Sequence, residues 1–203
     1  MALHTSTGAL LDRSLEQSSL AAPIRVAAIG LAVGLTAAAA QFTVPAPLTM
    51  VPFTLTPLVV VLTGAALGSR AGAIAQAAYV LLGALGLAVF APSASLPPGP
   101  LRLVGPTGGY LLAYPMAAFV TGWLAERGWG RRYVTAFAAM LAGLVVIYAG
   151  GVSWLALGFT HSIGQALTLG LVQFVALDVA KAAVAAMLLP QAWRLVGRAD
   201  AAL

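Results

Sequence analysis

Leu167-Thr-Leu-Gly-Leu-Val-Gln-Phe-Val-Ala-Leu-Asp178-Val-Ala-Lys181-Ala-Ala-Val-Ala-Ala-Met-Leu-Leu189 is an otherwise apolar run of membrane-spanning length with an acid and a base at its middle. A charge near the bilayer centre costs about 3 kcal/mol on insertion scales and more in simulations. Three residues apart on a helix, the two side chains share a face and partly neutralise each other. Ionisable groups at that depth point into a protein interior or a cavity. The pair is therefore expected to line a polar site, around which the chain folds. Two other roles stay open: a self-compensating structural pair, or one that binds a neighbouring helix. Aspartate accepts N–H bonds and lysine donates to a carbonyl, so a neutral group such as a cyclic urea satisfies both.

The rest of the chain agrees with a membrane setting. It is 61% hydrophobic and 7% charged, with mean hydropathy +0.99. No soluble domain of this size hides that much apolar surface. There are no cysteines, which excludes disulfides and thiolate metal sites. The net charge of +5 does not imply nucleic-acid binding, because the arginines lie in short connections, where they set topology. Met1–Ala22 is mixed and polar, with no apolar core of a cleavable signal. Residues 1–22 are expected as a short cytoplasmic tail, 23–193 as a single transmembrane domain, and 194–203 as a second tail.

The expected fold is all-α, an integral membrane protein with six transmembrane helices. The spans are about Ile24–Phe42, Val51–Gly68, Ala71–Phe90, Pro106–Ala125, Tyr133–Leu157 and Gly164–Leu189, each near the ~20 residues that cross a hydrocarbon core. Pro52 and Pro57 break the start of the second. With both termini cytoplasmic, the inner segments carry Arg13, Arg25, Arg70, Arg127, Arg131, Arg132, Arg194 and Arg198. The outer segments carry only Arg102, and Lys181 is in the membrane. Eight basic residues against one fixes that orientation, and five or seven spans would spoil the ratio. Two Pro-rich connections, Thr43–Pro52 and Ala91–Gly105, fall on the outer side, where long connections often act as lids. The inner connections are tight, with Ser69–Arg70 almost a bare turn.

Gly105-Pro-Thr-Gly-Gly-Tyr110 opens the fourth span. Pro suits a first helical turn, and glycines let a backbone or a ligand approach closely. The free N–H groups of a helix start favour an anion, and Arg102 lies just upstream. Tight helix packing explains the glycines equally well. Gln76 and Tyr79 in the third span are either ligand contacts or interhelical hydrogen bonding. Trp123, Trp129, Trp154 and Trp193 fit interfacial belts. Gly30-Leu-Ala-Val-Gly34, within a small-residue stripe that includes Ala28 and Ala32, permits close helix approach. That approach is either internal or to a separate membrane subunit. No Walker A motif, H-E-x-x-H or G-x-S-x-G occurs, so neither ATP hydrolysis nor membrane-hydrolase chemistry is expected of this chain.

Four segments, in order and at matching spacing, resemble one family. They are Val51-Pro-Phe-Thr-Leu55, Gln76-Ala-Ala-Tyr79 continuing to Phe90, Gly105-Pro-Thr-Gly-Gly-Tyr110-Leu-Leu112, and Asp178-Val-Ala-Lys181. They are similar to segments of the BioY family, the substrate-capture (S) components of energy-coupling-factor (ECF) biotin transporters. Two departures are visible. The outer loop Ser93–Arg102 is proline-rich where the family is glycine-rich, and Val175-Ala-Leu177 stands where the family tends to have Pro-Gly.

The resemblance implies the S-component fold, with biotin bound near the outer face as transported ligand and no cofactor or metal. It also implies a multi-pass protein of the bacterial cytoplasmic membrane. Its partners would be membrane lipids, a transmembrane coupling subunit and cytoplasmic ATPases. In that picture the biotin ureido group meets Asp178 and Lys181, and its apolar body meets Phe53, Tyr79, Phe90 and Tyr110. The carboxylate meets Arg102 or the N–H groups around Gly108, with Gln76 also at the ligand. A reversed ligand, its carboxylate on Lys181, is the other orientation. Ala28, Gly30, Ala32 and Gly34 would face the coupling subunit. The remaining alternatives are an S component for another vitamin and a non-transport membrane assembly protein.

Overall fold

The computed structural model describes residues 21–46, 49–93 and 96–200, with side chains as far as Ala192. Most of the expected tail 1–22, and the side chains of the expected tail 194–203 with Trp193, lie outside the described residues. Helix α1 is Ala21–Gln41 and α2 is Thr56–Leu67. Next come α3 (Ser69–Ala84), a short α4 (Leu101–Val104) and α5 (Gly108–Glu126). Helix α6 is Tyr133–Leu155, α7 is Ile163–Leu167 and α8 is Gln173–Asp200. Two wide π-type turns, Ala156–Thr160 and Thr168–Val172, extend α6 and join α7 to α8. The six expected spans correspond to α1, α2, α3, α5, α6 and the joined α7–α8.

Span boundaries differ where proline or glycine intervenes. The second span begins at Thr56 rather than Val51, because Pro57 suits only the first helical turn. Its 12 residues reach about 18 Å, so α2 alone does not cross a bilayer. The third ends at Ala84 rather than Phe90, and Gly86 adopts a φ of 101° that side-chain-bearing residues rarely take. The inner turn between α2 and α3 sits on Gly68, φ 89°, and Ser69 already begins α3. Glu126 at the end of α5 accepts from the Ser69 backbone N–H at 2.6 Å and its hydroxyl at 2.9 Å. That satisfies a donor which would otherwise be orphaned at the helix start.

Within a bilayer, helices associate through close packing and hydrogen bonds rather than hydrophobic burial. Helix α5 is the hub and packs on α6, α2 and α3. A Cβ on Gly64 of α2 would collide with the Ala118 backbone of α5, so the two helices cross almost backbone to backbone. Helix α1 is peripheral: 11% of its apolar window is buried, against 44% for Tyr133–Thr160. The Pro-rich connection after α1 leads into a two-stranded antiparallel hairpin that the sequence does not announce. In it β1 (Thr43–Val44) pairs with β2 (Phe53–Thr54), Thr43 opposite Thr54 and Val44 opposite Phe53.

An even span number would put both chain ends on one face, and the arginine bias is expected to make that face cytoplasmic. A reporter fused after Gly197 is expected to be active if it functions in the cytoplasm and silent if it requires the outer side. The reverse pattern contradicts the arrangement.

Candidate ligand-binding site

A cavity of about 420 Å³ opens between the hairpin, the end of α3, the start of α5, α6 and α8. That volume lies within the usual range for small-molecule sites. Its walls are apolar and aromatic. Phe53 comes from β2, Tyr79 from α3, Phe90 from the connection after it, and Tyr110 from α5. Tyr114, Tyr148 and Phe174 join them. The rings brace one another: Phe53 and Phe174 at 4.6 Å, Tyr79 edge-on to Phe90 at 5.4 Å, and Tyr110 edge-on to Tyr148 at 6.5 Å. Edge-on and offset geometries are the favoured ones for such pairs.

Asp178 is the acid of this cavity and is buried, 7% exposed. Both carboxylate oxygens accept a bond. Lys181 Nζ donates to Oδ1 at 2.8 Å, and the Tyr148 hydroxyl donates to Oδ2 at 2.6 Å. Each oxygen keeps a further lone pair for a ligand N–H. Lys181 donates a second bond, 2.8 Å to the backbone carbonyl of Thr54 in the hairpin. Its charge is thus compensated at membrane depth by one carboxylate and one carbonyl.

Arg102 is the base of the cavity and sits on a different wall, carried by α4. It is buried, 8% exposed, and donates to the Ala91 carbonyl. Its Nε is buried without a partner, an arrangement that costs free energy unless something accepts from it. Burial lowers the guanidinium pKa from its ordinary value, opposed by the neighbouring Tyr79. A carboxylate is the natural complement of such a group.

Of the residues expected at the ligand, Asp178, Arg102, Phe53, Tyr79, Phe90 and Tyr110 line this one cavity. Gln76, Gly108 and Lys181 do not. Gln76 is fully buried between three helices and donates to Thr36 of α1 at 3.1 Å and Thr63 of α2 at 3.0 Å. It serves there as interhelical hydrogen bonding. Space above Gly108 is taken by the Leu103 carbonyl and Trp154, and above Gly109 by Trp154 and the Gly150 carbonyl. The glycine pair therefore admits α6 and the short α4 at close range, and Pro106, Thr107 and Tyr110 face the cavity. Trp154, expected in an interfacial belt, donates to the Gly105 carbonyl at 2.9 Å and pins this helix start. The α1 stripe divides too. Ala32 is enclosed within the chain, 3% exposed, and Ala28 is half-buried, while a Cβ added at Gly30 or Gly34 would meet no other part of the chain within 4 Å.

Tyr148, Tyr114 and Phe174 line the cavity too, although the sequence reading does not name them. Their signal is helical spacing. Phe174 lies four residues before Asp178 and Tyr114 four after Tyr110, so each shares a face with a site residue. Tyr148 places a hydroxyl directly after the apolar run Leu144–Ile147, where a buried hydroxyl needs a partner.

The sequence pattern of the BioY family matches residues 14–198. A protein of Thermotoga maritima named a biotin transporter is 45% identical over 142 residues, 70% of this chain and 80% of that one. A probable biotin transporter of Pyrococcus horikoshii is 39% identical over 166 residues, 80% of this chain and 92% of its own length. A crystal structure described as the S-component for biotin from an ECF-type ABC transporter superposes with a TM-score of 0.78. It covers 88% of this chain and 95% of that one at 20% identity, a likeness of fold. With that fold, and a family pattern running through every wall of the cavity, the chain belongs to the BioY family.

Proposed function

We propose that this chain captures biotin in the aromatic cavity and passes it inward as the S component of an ECF transporter. The observation that carries the proposal is the pairing of opposite groups in one apolar site. A buried carboxylate with free lone pairs lies on α8, and a buried guanidinium with an unpartnered N–H lies on α4. Biotin has matching ends: a ureido ring with two N–H donors, and a carboxylate. Asp178 accepts from the ureido group and Arg102 takes the carboxylate. The apolar ring and valeryl chain lie against Phe53, Tyr79, Phe90 and Tyr110. This orientation is favoured over the reversed one because Lys181 is already engaged by Asp178 and Thr54.

Purified protein should bind labelled biotin and release it to unlabelled biotin but not to other vitamins. Displacement by another vitamin makes it an S component for that compound. Absence of binding to any vitamin favours a membrane assembly role.

Delivery inward requires energy that the chain has no motif to supply, so the partners are a transmembrane coupling subunit and cytoplasmic ATPases. Gly30 and Gly34, open on α1, are the close-approach points for that subunit. Gly34→Trp should abolish co-purification with the coupling module while leaving biotin binding unchanged. Ala32→Trp would instead disrupt the chain's own packing, since Ala32 is buried. Retained co-purification of the Gly34 variant moves the interface elsewhere.

A further inference from the structure

We propose that the chain also accepts biotin extended at its carboxyl through an amide, as in the lysine conjugate biocytin, and that a second, outer cavity receives the extension. This rests on the reading of the aromatic cavity as a biotin site. The outer cavity has a volume of about 230 Å³. Gln41, Leu87 and Ala88 belong to it alone, while Phe90, Leu96 and Arg102 wall both cavities. Arg102 thus stands at the junction, where the ligand's carboxyl end is placed. Its guanidinium donates to the Ala91 carbonyl, and its buried Nε has no partner. An amide carbonyl accepts from such a group as a carboxylate does, though without the charge that strengthens the bond. An amide in place of the acid therefore keeps the orientation of the ligand and weakens one contact. Whatever the amide nitrogen carries leaves the aromatic cavity past Arg102 and enters the outer one.

The outer lining suits an aliphatic stem with a polar end. Leu87 and Leu96 supply apolar wall on either side of the junction. Gln41, the last residue of α1, donates through Nε2 to the Ala88 and Phe90 carbonyls at 3.4 and 3.3 Å. Its amide oxygen is the acceptor that a ligand ammonium can use. Gln41, Leu87 and Ala88 are exposed, so a charged stem end keeps its contact with water and escapes the cost of burying a charge. The lysyl part of biocytin has these features in this order: a run of methylenes, then an ammonium and a carboxylate.

Competition against tritiated biotin on the purified protein tests the proposal. Biocytin should displace it roughly tenfold better than biotin amide, the factor expected from burying about two methylenes of the stem. Ala88→Trp and Leu87→Trp each fill the outer cavity at a position that does not line the aromatic one. Each should leave biotin affinity unchanged and bring biocytin down to the level of biotin amide, and either variant suffices if the other does not insert. Biocytin that binds no better than biotin amide to a parent that binds biotin overturns the outer subsite and leaves the biotin reading standing. Biocytin binding that survives the tryptophan also overturns it, since the stem then lies elsewhere. If the parent binds neither biotin nor biocytin, the biotin reading itself fails and the outer subsite falls with it.

Discussion

Asp178→Asn should lower biotin affinity by roughly tenfold or more, the equivalent of losing one hydrogen bond to a charged group, about 1.5–3 kcal/mol. The substitution keeps the side chain's shape but leaves one acceptor oxygen where two stood. Both oxygens are used, by Lys181 and by Tyr148, so the new amide turns a donor toward one of them. Lys181 then becomes an unbalanced cation at membrane depth, held only by the Thr54 carbonyl. Equilibrium binding of labelled biotin measures the loss. Affinity within twofold of the parent would remove Asp178 from the site.

Arg102→Met should cost a similar factor, roughly tenfold, for the same reason at the opposite end of the ligand. Its sharper readout is chemical. The parent should prefer biotin over biotin amide, because only the acid presents a charge to the guanidinium. The variant should bind the two about equally. A variant that keeps the preference for the acid places the carboxylate elsewhere. Arg102 is the only Lys or Arg expected on the outer side, and it is buried in a cavity wall.

Much of this arrangement is legible in the sequence, for physical reasons that differ by element. Asp178 and Lys181 stand out because charge is costly in a bilayer, and their three-residue spacing places them on one helix face. Spans one, five and six follow from apolar length. Harder to see is whatever depends on what a helix meets in space. Gln76 suits a neighbouring helix or a ligand, and only the positions of Thr36 and Thr63 show that its amide nitrogen bridges helices. Gly108 and Gly109 signal close approach without saying of what, and the answer is Trp154, Leu103 and the α6 backbone. The hairpin escapes notice because two-residue strands carry no periodicity. Lys181 sits at the site's edge, yet its bond to a backbone carbonyl in the hairpin leaves no trace in residue identities.

The most direct measurement is labelled-biotin binding by the double variant Asp178→Asn with Lys181→Met, set beside its yield in the membrane. Removing two costly charges together should let the chain insert as well as the parent or better. Biotin affinity should nevertheless fall by roughly tenfold or more, since the carboxylate that receives the ureido group is gone. A double variant that inserts normally and binds biotin as tightly as the parent would mean that the pair only holds helices together and that biotin is recognised elsewhere.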